Sequence, residues 1–207
     1  MSTSREPDSE IDSVLEFWLG AADPPGAAPP AVAARWWKKD PEFDAHLRSR
    51  FGELHTRAST GQLDAWAAAP RGRSALVIVL DQFSRNLYRS DPRAFAQDTR
   101  CLELALEGIA RGEHERTRPL LAYFGFMPLM HSEDLATQDR GVELFAWGSK
   151  HFDDPEVEKL FADGADYARR HRDIVARFGR FPHRNAALGR RSSPEELEFL
   201  KQPGSSF

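Results

Sequence analysis

A lone cysteine, Cys101, excludes a disulfide within these 207 residues, so the fold must be held by its core rather than by covalent staples. It also suits a reducing compartment. Long apolar runs are missing too. The longest purely apolar stretch covers residues 75–80, far short of the ~20 residues a membrane helix needs. The first ten residues are polar and acidic and carry no apolar signal core. A cytoplasmic protein without membrane contact is therefore expected. Charge of one sign is scarce: 28 Lys and Arg stand against 32 Asp and Glu, a net −4. That is too little for a dedicated nucleic-acid surface. The one basic loop, residues 179–191, holds a single aromatic, Phe181, which also speaks against a nucleic-acid partner. Sustained period-two alternation is absent as well, which leaves little case for a sheet.

What is present is helical punctuation. Ile11, Val14, Leu15 and Trp18 recur at spacings of three and four before Gly20, so residues 1–9 are expected to be a disordered tail and 10–207 a single helical domain. A stiff Pro-rich loop follows at 23–30. Asp40-Pro41, Asp91-Pro92 and Asp154-Pro155 each combine an N-cap with a proline at the first helical position. Their apolar stripes are Phe43, Leu47, Phe51 and Leu54; then Phe95, Leu102, Leu106 and Ile109; then Val157, Leu160, Phe161 and Ala165. Ser193-Pro-Glu-Glu196 reads as a capping box. Loose self-similarity between Cys101-Leu-Glu-Leu-Ala-Leu and Gly141-Val-Glu-Leu-Phe-Ala suggests stacked helical hairpins. The fold class is all-α, built of antiparallel helical hairpins.

Residues 73–89 are the most informative. Leu76, Leu80, Phe83 and Leu87 form one stripe, and Val77, Ile78 and Val79 cover the other faces, as in a helix buried on every side. Asp81, Gln82, Arg85, Asn86 and Arg89 continue directly from it, where unpaired charge is expensive. Two readings stay open. Asp81 and Arg85, four apart, can simply pair with each other. Alternatively Arg85, Asn86 and Arg89 line a pocket for an anion, since a guanidinium fork suits carboxylate or phosphate.

Histidines cluster in two further segments. His131 and Glu133 flank an expected helix junction, with Pro128 breaking or kinking the preceding helix and Ser132 capping the next. His171 shares an apolar stripe with Ile174 and Phe178 before Gly179 ends that helix, and the loop beyond carries Arg180, His183 and Arg184. A metal is not expected, because residues two apart on a helix point to nearly opposite sides, and neither His131 with Glu133 nor His171 with Asp173 chelates as a pair. No Gly-rich phosphate loop and no Gly-x-Ser-x-Gly elbow occurs, so no cofactor is expected. Cys101 reads as a small buried hydrophobe. Trp36-Trp37 beside Lys38-Lys39 is the pair that suggests partner contact.

Taken together, Leu80-Asp-Gln-Phe-Ser-Arg-Asn-Leu-Tyr-Arg89, Met127-Pro-Leu-Met-His-Ser-Glu-Asp134, His171-Arg-Asp-Ile174, Phe178-Gly-Arg-Phe-Pro-His-Arg-Asn185, Leu188-Gly-Arg190, Glu196, Phe199-Leu200 and the terminal Ser205-Ser-Phe207 resemble a bacterial family known only as domain of unknown function 924. The resemblance implies a tetratricopeptide-like fold and no assigned activity. From the residues themselves we expect a small-molecule pocket where the three segments meet. Asp81, Arg85, Asn86, Arg89, Glu133, Arg180, His183 and Arg184 would bind an anionic ligand, and His131 or His171 would move a proton. The alternative is a non-catalytic peptide-binding or scaffold module. A homo-oligomer fits either reading, and two readings of Phe207, an apolar ring joined to a carboxylate, stay open: it docks on an Arg-lined groove of this or a neighbouring subunit, or it ends a disordered tail.

Overall fold

The structure, a computed structural model, describes residues 5–206, with side chains from residue 8 onward. Both readings of Phe207 and residues 1–4 of the expected tail lie outside the described residues. Helix α1 spans Arg5–Leu19. The chain is thus helical at 5–9, ahead of the apolar stripe that begins at Ile11. α2 (Pro30–Trp37) and α3 (Pro41–Ser59) follow, and Asp40 caps α3 through Glu42 N and Phe43 N. One continuous helical run is then made of α4 (Pro70–Val77), a π-helical segment (Ile78–Phe83) and α5 (Ser84–Leu87). Beyond it come α6 (Asp98–Ala110), α7 (Pro119–Met130), α8 (Leu135–His151), α9 (Pro155–Phe178) and α10 (Pro194–Phe199). Among the described residues there are no strands, and no helix is long and apolar enough to cross a membrane.

The centre is α7. Each of its residues except Gly125 is buried, which is what an all-round apolar sequence dictates. It packs against α4, α6, α8, α9 and the π segment. The two self-similar stretches, on α6 and α8, both lie against it. Tyr123 of α7 meets the rings of Phe145 and Phe161 edge-on, at centroid separations of 5.1 and 5.3 Å. Burying each such ring is worth roughly 1.5–3 kcal/mol, and the chain has no covalent staple to replace that contribution.

Three local expectations are corrected. Pro128 does not break its helix but lies inside α7, near the end, so only one backbone bond is missing before the helix stops at Met130. Asp134, not Ser132, caps α8: its carboxylate accepts from Thr137 N at 2.8 Å, while Ser132 Oγ accepts from Asp134 N. In α6 the buried residues are Cys101, Leu104, Ala105 and Gly108, with Leu102, Leu106 and Ile109 half-buried. The Asp91-Pro92 signal opens only a short 3-10 turn, Pro92–Ala94, and the α-helix restarts at Asp98 with a different face inward. The Ser193 capping box forms as expected. Of the suspected tryptophan pair, Trp36 is buried and donates to Trp18 O at 2.8 Å, whereas Trp37 is 58% exposed.

The α8–α9 pair depends on close approach. A Cβ at Gly148 of α8 would overlap the ring of Phe161 on α9. Gly148→Ala should therefore lower unfolding stability in urea by about 1–3 kcal/mol, the usual cost of overpacking. Unchanged or raised stability would contradict this packing.

Candidate functional site

The π segment sets the site. A π turn has poorer hydrogen-bond geometry than an α turn and occurs mostly as single turns, often at functional sites. Here it is braced: Ser84 Oγ donates to Leu80 O at 2.5 Å, and His55 Nε2 lies 2.8 Å from the same hydroxyl. On this turn sits Asp81, its side chain only 1% exposed.

Each oxygen of Asp81 is occupied. Oδ1 faces His131 Nδ1 at 2.8 Å and Arg85 Nη1 at 3.2 Å, and Oδ2 accepts from Gln82 Nε2 at 2.6 Å. Burial alone would push the Asp81 carboxyl up. The Arg85 cation and His131 outweigh it and hold the group well below the usual carboxylate range. An ionised acceptor requires that His131 carry its proton on Nδ1, which leaves Nε2 as the basic nitrogen. Burial, then the nearby Arg85 charge, lowers the His131 pKa, so the ring is neutral near pH 7.

A second carboxylate, Asp98 at the start of α6, clamps two arginines. It takes Arg85 on both oxygens at 3.0 and 3.2 Å, and Arg184 Nη1 at 3.1 Å. Arg184 Nη2 donates to the His131 carbonyl at 3.0 Å, and its guanidinium carbon stands 4.8 and 4.5 Å from the rings of Phe95 and Phe181. Its Nε–H is buried and finds no acceptor among the described residues. Desolvation, then the Arg85 charge, brings Arg184 down to about 10. His171 donates from Nδ1 to Tyr167 O at 2.8 Å, with its ring 6.3 Å from that of His131. His183 lies against Phe181, ring centroids 5.5 Å apart.

The fold thus brings Asp81, Arg85, His131 and Arg184 into direct contact, with His171 and His183 beside them. The expected convergence of Asn86, Arg89 and Arg180 on the same spot is not met. Asn86 and Arg89 turn to Asp44 of α3, at 2.9 and 2.5 Å, and Arg180 is held by Glu196 at 2.6 and 2.8 Å. Carboxylates of α3 and α10 hold those side chains away from the Asp81 centre. Glu133 faces Arg190 and accepts from Phe181 N, tying the 180–190 loop to the end of α7. Where the small-molecule pocket is expected, the guanidinium groups of Arg85 and Arg184 are locked onto the carboxylates of Asp81 and Asp98. Sequence reasoning does not single out Asp98 or Phe95 for the site, because a helix started at Asp91-Pro92 puts Phe95 on its apolar stripe and Asp98 inside a helix, whereas the structure starts α6 at Asp98. Among the described residues no three His, Cys, Asp or Glu side chains stand together in a way that holds a metal ion.

Burial pushes His171 down to about 3 and His183 to about 4. Below pH ~6.5, the ordinary imidazole value, the unfolded chain binds protons that the folded one excludes. Stability is therefore fully present above pH ~6.5 and is lost as pH falls toward 4. His171→Gln should flatten the slope of unfolding free energy against pH in this window by about one proton, ~1.4 kcal/mol per pH unit. An unaltered slope in denaturant titrations would show that His171 is not held neutral by burial.

The chain matches the family described as bacterial protein of unknown function DUF924 over residues 14–204. No curated protein sequence matches it. A solved structure of a protein of unknown function from Agrobacterium tumefaciens is 32% identical and superposes with a TM-score of 0.80, over 96% of this chain and 100% of that one. With its matched residues reaching from α1 to beyond α10, the chain belongs to the DUF924 family of bacterial proteins.

Proposed function

We propose that the centre around Asp81, His131 and Arg184 binds a small molecule carrying a carboxylate or phosphate group, and that His131 is its proton-transfer residue. The observation that carries this reading is the buried Asp81–His131 pair built on a π turn. A carboxylate that fixes Nδ1 of an imidazole orients the ring and frees Nε2 as base, the arrangement used in hydrolytic triads. Paired arginines supply the anion recognition.

In the resting state Asp98 fills the place of the ligand anion. Its side chain and that of Arg85 are each 20% exposed, against 7% for Arg184, so this is the side from which a solvent anion reaches the cluster. The free Nε–H of Arg184 adds a donor that Asp98 leaves unused. An incoming carboxylate or phosphate would displace Asp98 and gather Arg85 and Arg184 in its stead. The reading takes residues 10–207 as one helical domain and the protein as cytoplasmic, with the ligand a soluble metabolite.

The test is thermal unfolding in acetate or phosphate, against chloride at equal ionic strength. Asp98→Asn should lower the starting stability, because the buried Arg184 loses its carboxylate and Arg85 keeps only Asp81. Added anion should then restore it saturably, by about 2.7 kcal/mol at a hundred times the dissociation constant. Arg184→Ala should abolish the gain. If acetate and phosphate act no differently from chloride in the Asp98→Asn variant, the anion reading fails.

A further inference from the structure

A second site, separate from the one above, lies between α4, α6, α7 and the turn at 113–117. It is a hollow of about 40 Å³ with mainly apolar walls, among them Val77, Ile109 and Phe126. At ~10–15 Å³ for each water-sized sphere, it holds about three water positions or a molecule of a few heavy atoms. Ser74 and Thr117 on its lining are half-buried, so it reaches the surface.

Two features of the wall point to an occupant. The first is Gly125, in the middle of the core helix and the only residue of α7 that is not buried. A Cβ added there would meet nothing within 4 Å, so packing does not demand glycine. Yet glycine is the poorest helix former after proline, and alanine would favour the helix. A missing side chain at this point keeps the hollow open. The second is His114. Its ring is fixed edge-on against Trp147 and Phe126, at 4.9 and 5.7 Å, and its buried Nδ1 has no hydrogen-bond partner among the described residues. An unmet buried polar atom is costly, and desolvation lowers the pKa of this ring, so it is neutral at pH 7. The polar rim is already used. Arg73, 4% exposed, is paired with Glu107 at 2.9 Å and Glu113 at 3.0 Å, so it neither demands nor welcomes an anion.

We propose that this hollow is a binding site for a compact alcohol, its apolar body against Gly125 and Phe126 and its hydroxyl on His114 Nδ1. A hydroxyl both donates and accepts, and therefore satisfies Nδ1 in either tautomer. Charged ligands are excluded by the apolar wall and by the closed Arg73 pairing.

The test is an NMR titration of the full chain with isobutanol, alongside isobutyl chloride, which has a similar shape and no hydroxyl. Isobutanol should give saturable shifts confined to Gly108, Gly125 and the His114 ring nitrogens, and the chloride should bind about five- to tenfold more weakly, the worth of one hydrogen bond. Gly125→Leu should fill the hollow and abolish the saturable shifts. Gly125→Ala, a milder change that raises the melting temperature if the space is empty, should weaken them. His114→Phe should remove the preference for the alcohol. Shifts that rise linearly across the surface, or that persist unchanged in both Gly125 variants, would overturn the proposal. Loss of binding here leaves the anion centre untouched, since the two sites share none of these residues.

Discussion

The carboxylate of Asp81 is the constraint around which the rest of the molecule is arranged. A buried anion without partners would cost many kcal/mol and would simply take up a proton. This one stays ionised because three donors reach it from three directions: Gln82 beside it, Arg85 one turn on, and His131 from the far end of α7. The last contact is the consequential one. It pins the carboxyl end of the core helix to the π turn, and His131 O in turn holds Arg184, which brings in the loop after α9. One buried charge thereby ties together segments about fifty residues apart along the chain.

The charges within this cluster balance. Arg85 and Arg184 are matched by Asp81 and Asp98, while His131, His171 and His183 are kept neutral by burial. Balance explains how the centre can fold without a ligand. It also fixes what a ligand must do, because an anion enters only by taking the place of one already there. Asp98 is the more exposed of the two carboxylates and so the one that can yield. Asp81, enclosed and bonded on both oxygens, cannot.

Much of this was legible in the residues. The Asp-Pro starts of α3 and α9, the Ser193 capping box and the all-round apolar half of residues 73–89 each follow from local physics, and each stands where the pattern put it. Asp81, Gln82 and Arg85, read as costly on a buried helix, do meet His131, read at a helix junction. Three things lay beyond local rules. The π turn depends on a brace from His55 on another helix, which no periodicity reports. The choice of Asp44 by Arg89 and of Glu196 by Arg180 depends on which carboxylate the fold brings near, and charge spacing along the chain cannot rank them. The shifted face of α6 arises because the Asp91-Pro92 cap opens a 3-10 turn, and three intervening residues reset the phase before the helix proper.

The central claim is that Asp81 and His131 act as one buried unit. A double-mutant cycle of Asp81→Asn and His131→Gln, followed by urea unfolding at pH 7, measures it directly. Coupling of about 1–3 kcal/mol is expected for two groups sharing a buried hydrogen bond. Additivity within about 0.5 kcal/mol, the behaviour of independent sites, would contradict it and leave the convergence of the three segments without its cause.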